Sequence, residues 1–245
     1  MSFQIMSEGL EMYISKPFLL LNRNFAPIKT IFMKIIDKKL LKISLTYIEY
    51  LVEVAEMWQN GQTSTTGFNN GQTMLDYTAD NLGRMYHLNE TIQLIPEMQD
   101  YLSKLTKPMT WLTITEGWCG DASQVVPVFE KIATAQPLIT HRIIFRDEHL
   151  DIIDAFLTDG ARSIPKLIVL DDDGNVLTSW GPRPQALHDI VQVIKKDMDT
   201  MSKEEQKAYF ENVKTTVHGW YDADKTVATQ QDLLKALEAV NFAVA

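Results

Sequence analysis

The sequence predicts an α/β fold in which helices cover a mixed sheet, with further helices before and after it. Two observations carry this. Between residues 96 and 200, segments of strand type alternate with segments of helix type. Outside that stretch, apolar residues recur at helical spacing.

The elements follow in order. Residues 1–44 show no sustained period, and Pro17 and Pro27 interrupt them. They read as an irregular or loosely attached segment, with helix near 33–42. From residue 45 the period changes: Tyr47, Tyr50, Leu51, Val54 and Trp58 make one helical face. Gly, Asn and Thr over 60–72 make a loop. Helices over 72–86 and 96–106 follow, the second opened by Pro96 in its first turn. "MTWLTIT" (109–115) has the β-branched and aromatic content of a strand. A helix over 121–135, a strand over 138–145 and a helix over 149–157 come next. "PKLIVLD" (165–171) is nearly all apolar, as a strand buried on both faces is. "DDDG" (171–174) turns the chain into a returning strand over 175–180. Leu187, Ile190, Val191 and Ile194 stripe a helix over 184–199. Helices over 202–221 and 229–240 end the chain. The division is therefore 1–44 basic segment, 45–95 helical addition, 96–200 α/β core, 201–245 helical addition.

Composition narrows the function classes. The chain has 245 residues, enough for a sizeable core without disulfides. Its net charge of −9 argues against a nucleic-acid binder, which carries a basic footprint. Lys and Arg nevertheless outnumber acids before residue 45, an asymmetry that marks partner- or membrane-binding tails. The start reads as no signal peptide, since Glu8 and Glu11 precede a short apolar run. Met33 is an alternative start. No membrane span is expected, and the reading is cytoplasmic. A single cysteine excludes an internal disulfide and any multi-cysteine metal site. The five histidines lack metal-ligand spacing and read as structural or exposed, so no metal is expected.

That cysteine, Cys119, stands in "EGWCGDASQ" (116–124), in the turn between the first core strand and its helix. Unpaired N–H groups at a helix N-terminus favour an anion, so this placement predicts a lowered thiol pKa and a usable nucleophile. Gly120 allows a substrate backbone to approach, and Trp118 flanks the sulfur. The competing reading is a small buried hydrophobe, the commonest state of a lone cysteine.

Trp118-Cys119-Gly120, Pro127 eight residues after the cysteine, Arg162-Ser163-Ile164-Pro165, Asp173-Gly174 and Gly181 together resemble the thioredoxin superfamily. The resemblance covers about 96–200 and implies a thioredoxin-like three-layer α/β/α fold. "TEGWCGDA", "FRDE", "ARSIP" and "WGPRP" resemble a bacterial branch of single-cysteine members that also carries helices before and after the core. The resemblance implies that Cys119 is the catalytic thiol and that Pro165 is cis and faces it. It also implies that the backbone at Ile164 receives an extended peptide by strand addition. Two positions depart from the family pattern. Ala122 stands at the resolving cysteine, so an outside thiol such as glutathione has to release a mixed disulfide. Thr113 stands where dithiol members bury a carboxylate. Glu116 and Asp121 are acids nearby, and an acid close to Cys119 raises its pKa.

Asp121, Arg146 and Arg162 are candidates for tuning the thiol's charge, the arginines also for holding an anionic ligand. Both arginines equally suit ion pairs with neighbouring acids. Trp180 suits either the groove or the core.

The first functional reading is a thioredoxin-like monothiol oxidoreductase in redox homeostasis. It would form mixed disulfides with protein or low-molecular-weight thiols, with Trp118, Gly120, Ile164 and Pro165 binding substrate and no resident cofactor. The alternative is a redox-inactive thioredoxin-fold module that binds a peptide or partner. A third reading is a peroxide sensor cycling through sulfenic acid.

Overall fold

The computed structural model describes residues 36–64 and 71–240. The chain divides into 1–32 and 33–245, and every described residue belongs to the second unit. The expectations for residues 1–35, and for the middle of the loop at 65–70, lie outside the described residues.

Four strands form the sheet: β1 (Met109–Thr115), β2 (Ile139–Phe145), β3 (Lys166–Leu170) and β4 (Val176–Trp180), in the order β2-β1-β3-β4. β1 and β2 run parallel, with Thr113 opposite Ile143. β3 is antiparallel to β1, with Leu112 opposite Ile168, and β4 is antiparallel to β3, with Leu167 opposite Trp180. The sheet is mixed, as the alternating pattern predicts.

Nine helices surround it among the described residues. Four precede the sheet: α1 (Lys38–Ile43), α2 (Tyr47–Gln59), α3 (Gln72–Thr91) and α4 (Pro96–Ser103). α5 (Gly120–Ala135) and the short α6 (Leu150–Ile153) lie within the core. α7 (Gln185–Met198), α8 (Lys203–Asp224) and α9 (Val227–Glu238) follow β4. Local signals explain their limits. Thr46 and Glu49 form a capping box at the start of α2, and Ser202 and Glu205 form one at α8. Lys225, left-handed at φ 52°, ends α8. The helix expected over 149–157 shrinks to one turn between two 3₁₀ turns. Asp159 and Gly160, both with positive φ, close that segment, leaving too few residues for a longer helix to propagate.

Alternation decides what each face of the sheet meets. Trp111, Thr113 and His141 point toward α5. There Phe129 packs edge-on against Trp111, His141 and Trp180, and His141 bridges the Thr113 hydroxyl and the Glu130 carboxylate. Leu112, Ile114 and Ile144 point to the other face and are just as buried, so helices cover both faces. Trp180 is therefore a core residue. Each such fully buried aliphatic side chain contributes about 2 kcal/mol.

The helical additions join this core at defined points. α3 packs on α5, α2 on β2, and α9 on β4 and α4. Leu45 and Ile143 exchange both backbone hydrogen bonds at 2.8 Å, on the edge of β2 that β1 leaves open. In the hairpin, the Asp171 carboxylate accepts from the Asp173 and Asn175 N–H groups and the Asn175 amide. That arrangement makes it a local turn.

Gly181 is constrained twice. Its φ is +115°, and a Cβ there would stand 2.3 Å from the Pro165 carbonyl oxygen. Gly160 shares the positive φ but faces open space. Gly181→Ala is therefore expected to cost about 3 kcal/mol or more, and Gly160→Ala about 1 kcal/mol. Urea unfolding of both variants against the parent checks this; equal midpoints would refute it.

Candidate functional site

Cys119 is the N-cap residue of α5 and ends the turn that leaves β1. The additions hold this turn. A Cβ on Gly117 would stand 2.7 Å from a Val54 methyl of α2, so any other residue there would force that side chain to shift. The Gly117 N–H donates to the Ser64 hydroxyl at 3.0 Å, and its carbonyl accepts from the Asn81 amide of α3 at 3.0 Å.

The Ile164–Pro165 bond is cis, and the Cys119 thiol donates to the Ile164 carbonyl at 3.3 Å. Ile164 and Pro165 are both buried. The Ile164 carbonyl thus already accepts one hydrogen bond, from the thiol. Trp118 and Gly120 are half-buried beside the sulfur.

The thiol's pKa runs opposite to the sequence expectation. Burial pushes Cys119 up to about 12, and the Asp121 carboxylate adds to the rise. The N–H groups of Ala122 and Asp121 and the Arg183 guanidinium pull it down, as a helix N-terminus should, but burial outweighs them. Cys119 is only 7% exposed because α3 and α8 stand over it, and they come from distant sequence. At neutral pH the site holds a protonated thiol that acts as a hydrogen-bond donor.

Asp121 is the most connected acid here. It forms a buried ion pair with Arg183, whose Nε–H donates at 3.0 Å, and accepts from the Tyr221 hydroxyl of α8 at 2.8 Å. The arginine whose charge acts on Cys119 is thus Arg183, in the turn after β4. Arg146 lies over the Trp118 ring, 5.1 Å from its centroid, and pairs with Asp147. Arg162 is on the surface in a two-point pair with Asp154, at 2.6 and 2.8 Å. The site therefore gathers Trp118, Cys119, Gly120, Asp121 and Ile164, while Arg162 lies apart with its acid.

Glu116 is fully buried three residues before the cysteine. It accepts from the Ser64 hydroxyl and, at 2.9 Å, from the Asp147 N–H. Desolvation outweighs these bonds and raises its pKa to about 7.

A cavity of about 220 Å³ opens over the sulfur, between α3, α8 and the first turn of α5. Arg84, Lys214 and His218 line it together with Cys119 and Gly120. None of these three was legible as a site residue, because α3 and α8 lie outside the motif-bearing core. Acids outnumber Lys and Arg on both helices, so charge pattern gave no signal for them. Among the described residues, no group of three metal-ligating side chains occurs, and no helix is long and apolar enough to cross a membrane.

Residues 67–199, more than half of the chain, match the family model described as thioredoxin. The chain belongs to the thioredoxin family. It is 35% identical over 88 residues to the Streptomyces coelicolor protein named "Putative thioredoxin 2". That match takes in 35% of this chain and 63% of the relative's length. Among solved structures, it is similar to an HIV epitope-scaffold at 18% identity and a TM-score of 0.47, over 80% of this chain and 99% of the other. It is also similar to a Pseudomonas aeruginosa protein of unknown function at 20% identity and a TM-score of 0.45, over 80% and 98%.

Two outcomes follow. Iodoacetamide should alkylate native Cys119 at pH 8 at least about 100-fold more slowly than in urea, where a free thiol titrates near 8.5. Asp121→Asn should speed the native reaction, because it removes a like charge and leaves Arg183 facing the sulfur. It should also cost about 3 kcal/mol by stranding that arginine. Equal native and unfolded rates would refute the buried, protonated thiol.

Glu116 makes stability depend on pH. Between about pH 4.5 and 7 the native protein keeps a proton that the unfolded chain releases, so stability falls as pH rises through that window. Glu116→Gln should match the parent at pH 4.5 and exceed it at pH 8 by up to about 3 kcal/mol. Urea unfolding at both pH values measures the difference, and a pH-independent offset would refute it.

Proposed function

We propose that this chain is a monothiol thioredoxin-fold protein in which Cys119 exchanges with small disulfides and thiols. The observation that carries this reading is the cavity that reaches Cys119 where its thiol meets the Ile164 carbonyl. A folded protein would have to displace α3 and α8 to reach the sulfur; a small molecule would not.

The exchange needs no cofactor. The Cys119 S–H gives its proton to solvent, and the thiolate attacks one sulfur of a small disulfide. The S–S bond breaks as the Cys119–S bond forms, and the departing thiolate takes up a proton. A second small thiol, glutathione for example, reverses the adduct, since Ala122 cannot. Arg183 and the N–H groups of Asp121 and Ala122 stabilise the transient thiolate. Asp121 and burial oppose it, which makes the resting site a guarded one. Arg146, over Trp118, keeps that ring in place beside the sulfur.

The protonated, hydrogen-bonded thiol favours a second reading, a redox-inactive module that binds a small partner in the same cavity. Incubating native protein with glutathione disulfide at pH 8.5 separates the two by intact mass. The exchange reading expects one adduct at Cys119 that accumulates over hours and is removed by free glutathione. Native protein that stays unmodified while urea-unfolded protein reacts fully would leave the binding module.

A further inference from the structure

The cavity has a chemistry of its own, independent of whether Cys119 exchanges. Its walls are apolar: Met74 and Tyr77 from α3, Trp118 from the site turn, and Phe210 from α8. Two cations line it, Arg84 from α3 and Lys214 from α8. Both stand 3.9 Å from one carboxylate, Asp80, which is half exposed. Among the described residues, two positive charges thus share one negative charge, at a separation longer than a direct hydrogen bond. Lys214 also lies over the Tyr77 ring, 4.3 Å from its centroid.

His218 adds a neutral donor. The Gln124 amide approaches its Nδ1 at 3.2 Å, which leaves the ring proton on Nε2. Nε2 sits over Gly120, 3.5 Å from where a Cβ would be. Burial, with Arg84 and Lys214 close by, lowers the pKa of His218, so the ring is neutral at pH 7. Two further acids act on His218, Asp121 and Asp222, and Asp121 is already satisfied by Arg183 and Tyr221.

We infer that this cavity binds a small free carboxylate with an apolar body, its charge held by Arg84 and Lys214 and its body lying among Met74, Tyr77, Trp118 and Phe210. The volume, about 220 Å³, is below the range of about 300–1,000 Å³ that drug-sized ligands occupy, so the occupant is a short one. An amine would meet uncompensated positive charge. A neutral alcohol would fill the walls and leave the cations unused.

Isothermal titration calorimetry of the full chain tests this with octanoate, octanol and octylammonium. Octanoate should bind at one site, and more weakly as salt rises. Octanol should bind at least about tenfold more weakly, and octylammonium not measurably. Arg84→Gln and Lys214→Met, both on partly exposed positions, should each weaken octanoate about threefold, and together about tenfold. Cys119→Ser should keep octanoate affinity while abolishing the glutathione adduct, so loss of exchange and loss of this site are read separately. Octanol binding as tightly as octanoate, affinity unchanged in the double charge variant, or no saturable heat would each overturn the inference.

Discussion

The carboxylate of Asp121 holds the functional end of this protein together. It lies in the first turn of α5, pairs with Arg183 after β4, and accepts from Tyr221 of α8. Three separate parts of the chain therefore converge on one buried charge. A buried pair of this kind contributes little net stability, yet removing one partner is costly, so it acts mainly to specify geometry. The geometry it specifies is α8 standing over Cys119. Burial of the thiol, its raised pKa and the walls of the cavity all follow from that placement. The acid that orders the site is also one of the groups that hold the thiol protonated.

Much of the core was legible because its signals are local. The apolar run at 165–171 and the turn at 171–174 produce β3, the hairpin and β4. The helical stripes at 45–58 and 184–199 produce α2 and α7 almost to the residue. The helix expected over 149–157 forms only one α-helical turn. The positive φ values at Asp159 and Gly160 depend on the return to β3, which periodicity does not report.

The site was legible in its residues and not in its state. Trp118, Cys119 and Gly120 line one cavity, and the effect expected of the helix N-terminus acts in the expected direction. What outweighs it is burial by helices whose sequences carry no motif. Arg183, Tyr221 and His218 each act through a contact about 60 to 100 residues away along the chain, a distance that no local pattern reports. Arg162 was credible because it precedes the proline turn, yet a nearby surface acid, Asp154, takes both of its donors.

The Leu45–Ile143 pairing has an effect outside the site. A parallel β1–β2 arrangement leaves the outer side of β2 with unpaired N–H and C=O groups, a template for another molecule's strand. Here the chain's own residue occupies the donor and acceptor of Ile143, in the interior of that strand. A second copy approaching this border finds the run interrupted at Ile143, so a single residue of the N-terminal addition works against edge-to-edge pairing through β2.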